Sequence, residues 1–283
     1  MAIAKRLLAS TRHRLVLTAR EASLPRFAAA GIEPSERVWL RALDVVDAHQ
    51  RRGVIGEVNA AWDGIDVLIN NAGLSYRSVV EHVTDADRLE QMDINFLAPM
   101  ELARLVLPRM RAQCWGRILN VSSVGGMMAM PTMSTYSASK FALEGASEAL
   151  WYEVRPWNIR VSLIQPGFIN SEGFEKVRWT GLSAASKEAF SDPYYNHYRF
   201  MEGFIERVMR LAPATTESVA RTVVRTIHSS RPRLRVQATF DAYLFTILRR
   251  LIPQRIYHAI LYRALPRIDE WGPNARILPP GVE

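Results

Sequence analysis

Five short apolar runs rich in β-branched residues recur along this chain with helix-period segments between them, and no other feature constrains the fold as strongly. The runs are Leu15 to Thr18, Val38 to Leu43, Ile65 to Ile69, Arg117 to Val121 and Ile159 to Ile164. Their near-continuous apolarity predicts strands buried on both faces, and the helices between them predict parallel crossovers. The clearest helical stretches are Glu101 to Met110 and Ala138 to Val154. The second carries Phe141, Leu143, Ala146, Ala149, Leu150 and Val154 at helical spacing. The expectation is an α/β, doubly wound parallel sheet in a single domain over residues 1–283, with no internal repeat or low-complexity linker. A hydrophobic content of 48% is enough to bury such a core.

Composition excludes several classes. The single Cys114 rules out an internal disulfide, and the six histidines show no metal-ligand spacing, so no metal is expected. A reducing, cytoplasmic setting fits this usage. The net charge of +8 suits an anionic cofactor, an anionic membrane surface or nucleic acid. No basic stripe interleaved with aromatics supports nucleic acid. Met1 to Ser10 has no long apolar core or cleavage pattern, so no signal peptide is expected. No uncharged run of membrane-spanning length, about 18 residues or more, is present.

Three segments leave expected strand ends with the composition of a ligand crevice. Asn70-Asn71-Ala72-Gly73 allows close backbone approach, although alone it is equally a plain strand-end turn. Asp44, followed by Val45, falls where an open α/β sheet presents its strand ends, although alone it is equally a helix N-cap. Pro166-Gly167-Phe168-Ile169-Asn170-Ser171 leaves the last run in the same way. Between these lies the chemistry: Tyr136, Lys140 four residues later, and Ser123 thirteen residues before. A phenol of ordinary pKa about 10 needs a fixed positive charge to exchange a proton near neutrality, and an i+4 lysine shares its helical face.

The ordered set Leu-Asp-Val at 43 to 45, Asn-Asn-Ala-Gly at 70 to 73, Met-Asp-Ile-Asn at 92 to 95, Asn-Val-Ser-Ser at 120 to 123, Tyr-Ser-Ala-Ser-Lys at 136 to 140 and Pro-Gly at 166 and 167 resembles the short-chain dehydrogenase/reductase family. The likeness extends from about Ala2 to beyond Ser171, and the stretch from Ser123 to Gly145 looks like the hydroxysteroid and retinol dehydrogenase branch. It implies a Rossmann-type fold and a role for each matching residue. Tyr136 would be the acid/base, Lys140 would lower its pKa and hold the nicotinamide ribose, and Ser123 would orient the substrate oxygen. Asn95 would shape its helix around a water reaching Lys140. Cofactor contacts would come from Arg20, Asp44, Val45, Asn71, Ala72, Gly73, Tyr136, Lys140, Pro166, Gly167, Ile169 and Ser171. Arg20 favours NADP over NAD, because a guanidinium accommodates the extra phosphate, with Glu21 beside it acting against. A homo-oligomer formed through the helices at Glu101 to Met110 and Ala138 to Val154 is also implied.

The chain departs from the family at its start. The first strand and the Thr-Gly-x-x-x-Gly-x-Gly turn that cradle the pyrophosphate are absent, and the first glycine is Gly31. Met1 to Ala9 reads as the helix after that turn. A missing central strand bares the edges of the Leu15 and Ile65 strands and removes about 6 to 12 kcal/mol of burial. The expectation is a recorded start downstream of the real one, against a remnant unable to hold a dinucleotide.

Substrate class rests on residues 168–212, read as a lid: Phe168, Phe174, Trp179, Phe190, Tyr194, Tyr195, Tyr198, Phe200 and Phe204. Met127, Met128, Met130 and Met133 lie between Ser123 and Tyr136, where flexible side chains mould to irregular apolar ligands. Core packing is the competing role for most of these. The leading expectation is a bulky apolar alcohol or ketone: a steroid, retinoid or lipid-derived carbonyl. The alternative is a non-catalytic relative that binds a lipid or protein. Residues 242–268 hold Arg249, Arg250, Arg255, Arg263 and Arg267 among apolar residues and no acid, a pattern of peripheral membrane contact or of helices covering the lid.

Overall fold

Each apolar run is followed by a helix, and every strand pairing that results is parallel. The computed structural model describes residues 1–170 and 177–272. In chain order the elements are α1 (Ala2–Leu8), β1 (Leu15–Ala19), α2 (Pro25–Ala29), β2 (Val38–Ala42), α3 (Ala48–Trp62), β3 (Val67–Asn70), β4 (Tyr76–Arg77) and α4 (Asp85–Met92). Then come α5 (Ala98–Ala112), β5 (Gly116–Val121), α6 (Ser134–Val154), β6 (Ile159–Gln165), β7 (Arg178–Trp179), α7 (Gly181–Glu188) and α8 (Tyr195–Leu211). The chain continues through α9 (Thr216–His228), β8 (Arg235–Gln237), α10 (Phe240–Leu251) and α11 (Gln254–Arg263). All five expected strands form. Both expected helices start earlier than their apolar periodicity suggested, α5 with Pro99 in its first turn, where a proline removes no helical hydrogen bond.

The architecture is the expected doubly wound α/β arrangement, but its strands fall into separate sheets. β3–β5–β6–β8 form one, β1–β2 a second, and β4–β7 a small third. β5 and β6 are paired from Gly116–Ile159 to Val121–Ile164 and are almost wholly buried. β1 and β3 share no hydrogen bonds, and most of their residues are only half-buried. Leu15 of β1 and Val67 and Ile69 of β3 nonetheless pack on the same cluster around Leu7, Leu119, Ile164 and Val223. α1 holds the two sheets together, with Leu7 in that cluster and Ala4 in the one formed by Ala19, Phe27, Ile32 and Val38. Arg37 fixes this join by donating to Ser10 O at 2.9 Å, His13 O at 3.1 Å and Leu8 O at 3.2 Å, near the exposed C-terminus of α1.

On the opposite face α3, α5 and α6 cover the main sheet through Ile55, Leu102, Val106, Met110, Leu150 and Val154 on Ile118 and Val161. Pro253 divides the basic tail into α10 and α11, as its sequence indicated. Among the described residues no helix is long and apolar enough to cross a membrane.

Candidate active site

Parallel pairing brings the C-terminal ends of β3, β5 and β6 to one side of the sheet. Two bonds beyond the ladder extend that register: Ser122 N donates to Ile164 O and Val124 N to Pro166 O, each at 2.8 Å. The turn after β5 and the turn after β6 are therefore one rigid unit. Ser123 leaves β5 in extended conformation, and its Oγ accepts the Gly125 N–H at 3.0 Å, capping a short turn over Val124–Gly126. Its Oγ and the Tyr136 ring border the same glycine, Gly125. The capping and catalytic readings of Ser123 are thus compatible. Gly125 is required by the phenol, because a Cβ there would lie 2.8 Å from Tyr136 Cε1.

α6 carries Tyr136 and Lys140 on successive turns of one face. Lys140, 5% exposed, donates from Nζ to Val121 O at 2.9 Å, and Nζ lies 5.9 Å from the Tyr136 ring centroid. Asn95 sits in a π-helical turn, Asp93–Leu97, between α4 and α5. Its Oδ1 accepts Leu74 N at 2.8 Å, while Nδ2 donates to Leu74 O at 2.8 Å and Ser139 Oγ at 2.9 Å. Ser139 Oγ in turn donates to Tyr136 O at 2.7 Å. Asn95 thus joins the segment after β3 to the helix that bears the phenol. Extra helical turns of this kind recur at functional sites.

Burial of its hydroxyl pushes the Tyr136 pKa above the ordinary phenol value, opposed by the Ser123 hydroxyl. The Lys140 ammonium is engaged by the Val121 carbonyl. Burial pushes Lys140 down to about 8, against the attraction of Glu144. Sequence reading missed Glu144, which continues the 136, 140 series by one more turn. It accepts from Gln165 Nε2 and Arg235 Nε, each at 2.9 Å, tying α6 to β6 and β8. The i, i+4, i+8 spacing was its available signal.

A second locus lies beyond the strand ends of the β1–β2 sheet. Arg20, Glu21, Ala22, Ala42, Asp44 and Gln50 line an open cavity of about 380 Å³ beyond β1 and β2. The N-cap alternative for Asp44 is excluded, since Asp47 caps α3 by accepting His49 N and Gln50 N. Asp44 N instead donates to Gln50 Oε1 at 2.7 Å. Val45 packs on the Ile55–Leu102 cluster and Ile169 on the Leu7–Ile164 cluster, so their side chains are core walls. Asn71, Ala72 and Gly73 are exposed after β3. A Cβ on Gly73 would make only ordinary contacts, 3.5 Å from Asn95 Oδ1 and 3.9 Å from Lys140 Nζ, which places this turn beside both side chains. Ser171 and Phe174 lie outside the described residues.

Several lid aromatics prove to be anchors. Tyr198 is fully buried, and its hydroxyl accepts Val79 N at 3.0 Å and meets His82 Nδ1 at 2.9 Å. Trp179 lies between Arg77 and Lys187, at 5.5 and 4.5 Å from its ring centroid. The turn Pro166–Gly167–Phe168 has a partner the sequence did not reveal: Thr239 Oγ1 accepts Gly167 N at 2.9 Å and Asp241 Oδ2 accepts Phe168 N at 2.8 Å.

Arg20 and Asp44 lie beyond β1 and β2, and a buried ammonium lies beside the phenol at the end of β5, but no glycine-rich turn stands before β1, the first glycine of the chain being Gly31. Comparison with known proteins shows the family. A family model described as short chain dehydrogenase matches residues 1–180. Human retinol dehydrogenase 8 is 30% identical over 271 residues, 92% of this chain and 85% of that protein. The 3-ketodihydrosphingosine reductase of Bacteroides thetaiotaomicron is 37% identical over 173 residues, 60% of this chain, and the chain spans only 64% of its length. A short-chain dehydrogenase structure from Streptomyces avermitilis superposes with TM-score 0.71 at 26% identity, covering 92% of each chain. A metagenomic short-chain oxidoreductase solved with NADP gives TM-score 0.60 at 25% identity, covering 83% of this chain and 89% of its own.

Proposed function

The chain belongs to the short chain dehydrogenase family, and on that premise we propose that it transfers a hydride between NADP(H) and an apolar alcohol or ketone. The observation that carries the reading is the convergence of three groups: buried Lys140 one turn from Tyr136 on the same helix, with Nζ 5.9 Å from the phenol ring, and Ser123 Oγ bordering the same glycine, Gly125, as that ring. When bound, the nicotinamide supplies or takes up the hydride. In the reducing direction the Tyr136 hydroxyl gives its proton to the carbonyl oxygen, and in the oxidising direction the phenolate takes the alcohol proton. Ser123 Oγ holds the same oxygen, fixing the carbonyl plane before the proton moves. A phenol held protonated by burial suits the reducing direction near neutral pH.

Lys140 meets the ribose hydroxyls, and Arg20 favours NADP over NAD by offering a guanidinium to the extra phosphate. Asp44, Asn71 to Gly73, Pro166 and Gly167 belong to the same cofactor track. Half-buried Met127, Met130 and Met133 supply an adaptable apolar wall, and residues 168–212 a lid. A lipid-derived ketone is the leading substrate class, which a sphingoid-base reductase and a retinol dehydrogenase among the relatives support. A homo-oligomer through α5 and α6 and a peripheral membrane contact through residues 242–268 complete the reading.

Titration of the purified chain with NADPH, followed by cofactor fluorescence, tests it. Saturable binding is expected, weakened about ten-fold or more in Arg20→Ala if a charge-assisted contact to the extra phosphate is lost. Tyr136→Phe should keep that binding and lose about 10²–10⁴ in turnover. Absence of binding at millimolar NADPH both by this chain and by one carrying a preceding strand and glycine-rich turn would leave the lipid- or protein-binding alternative.

A further inference from the structure

The exposed apolar residues of the C-terminal helices are ordered. On α10, Phe240, Tyr243, Leu244 and Leu251 are 74%, 54%, 41% and 72% exposed, and they follow the i, i+3, i+4, i+11 positions of one helical line with half-buried Ile247 between. On α11, Ile256 and Ile260 are 54% and 52% exposed and share a line with Ala259 and Arg263. Exposed apolar stripes on two adjacent helices are a patch, and a patch marks an interaction surface. Arg250 and Arg255 are exposed and flank the two lines. Arg249, on the opposite side of α10 from this line, is also exposed and lies over the Phe141 ring at 5.5 Å. From Ala242 to Ile268 there is no carboxylate.

The inner faces of the same helices rest on the candidate active site. Thr246 Oγ1 donates to Met127 Sδ at 3.4 Å, and Tyr257 OH lies 3.9 Å from Met128 Sδ, both in the loop between Ser123 and Tyr136. Thr239 and Asp241 hold the turn after β6. We propose that α10 and α11 dock on an anionic lipid bilayer, with Phe240, Tyr243, Leu244, Leu251, Ile256 and Ile260 in the acyl boundary and Arg250, Arg255 and Arg263 on the headgroups. This rests on the membrane-contact reading above and supplies its face and its lipid chemistry. Charge selects the occupant. A second copy docking through this face would set arginines against arginines, whereas lipid phosphates and carboxylates complement them. Docking also brings the methionine loop, which the inner faces support, close to the source of an amphiphilic ketone.

Flotation of the full chain on vesicles, without cofactor or substrate, tests the proposal independently of turnover. Vesicles of phosphatidylcholine with phosphatidylserine should carry the protein at low ionic strength and release it at high salt, while phosphatidylcholine alone should carry little. The pair Arg250→Gln and Arg255→Gln should lower partitioning about thirty-fold, given the contribution of each basic residue at such a surface. Ile256→Asp with Ile260→Asp should abolish it, with circular dichroism and Tm unchanged because both side chains are exposed. Equal, salt-insensitive flotation on both vesicles would overturn the anionic face while leaving membrane contact standing. No flotation on either would overturn both. If the isoleucine pair instead abolishes self-association of a chain that never floats, the face is a contact between copies and the proposal fails. NADPH titration of the same variants should be unchanged, which separates this outcome from failure of the catalytic reading.

Discussion

Lys140 carries a conflict between stability and function that a single titration can read. Its ammonium is buried and its pKa is pushed down to about 8 in the folded chain, against 10.5 for the unconstrained side chain. Below pH 8 folded and unfolded chains both hold the proton, and folding includes the cost of burying the charge. Between about 8 and 10.5 the folded chain has released the proton and the unfolded chain has not, so stability rises with pH across that window. Denaturant midpoints measured on either side of it should show this rise, amounting to about 1–3 kcal/mol. Lys140→Met should remove the rise, stabilise the chain near neutral pH and abolish turnover. A flat profile in the parent chain would show that Lys140 keeps its proton throughout. The identities of Tyr136, Lys140 and Ser123 were legible in the sequence because one helical face and one strand end fix their spacing. The environment that raises Tyr136 and depresses Lys140 was not, since burial depends on α4, α5 and β5, which are distant in sequence.

Among the elements, α10 is the one that reaches back to the catalytic turn. Gly167 has no room for a side chain: a Cβ there would lie 1.8 Å from Asp241 Oδ2, which is committed to the Phe168 N–H. Gly167→Ala should therefore destabilise by about 1–3 kcal/mol, as overpacking does. Asp241→Ala leaves the Phe168 donor unmet and should destabilise by a similar amount. The double variant should be less damaged than the sum, because removing the carboxylate makes room for the methyl, with a coupling of about 0.5–3 kcal/mol. Strict additivity of the two midpoint shifts would show that the clash is relieved elsewhere. The Pro-Gly pair advertised a turn, but its partner lies more than seventy residues away on α10. No local pattern announces such a contact. The same holds for Asn95, whose side chain is recognisable in a motif but whose bonds to Leu74 and Ser139 exist only once three segments meet.

At the scale of the molecule, the main division is between the well-buried β3–β5–β6–β8 sheet and the β1–β2 pair beside it. Each strand of that pair has one neighbour, and the pair is held to the rest through α1, Leu15 and the Arg37 bonds. Fewer buried contacts imply easier local opening. Amide exchange should therefore be faster by an order of magnitude or more, about 1.4 kcal/mol or greater in opening free energy, in Leu15–Ala19 and Val38–Ala42 than in Gly116–Val121 and Ile159–Gln165. Equal protection would mean that α1 couples the two sheets into one cooperative unit. Because the Arg20–Asp44 cavity sits beyond β1 and β2, cofactor that binds there should raise protection of the pair selectively.

By itself the sequence determined the order and type of the elements, since periods of two and 3.6 residues and the turn residues at strand ends are local properties. It also set the candidate catalytic group, because a phenol, an ammonium and a hydroxyl must be written into the chain in order. Only the tertiary structure decided that the strands divide into separate sheets, that Asp47 rather than Asp44 caps α3, and that Tyr198 is buried against Val79 and His82. It alone decided that α10 and α11 support the catalytic loop from one face and present apolar residues from the other. Each of these depends on which distant surfaces exclude water from one another, and that is settled when the chain closes on itself.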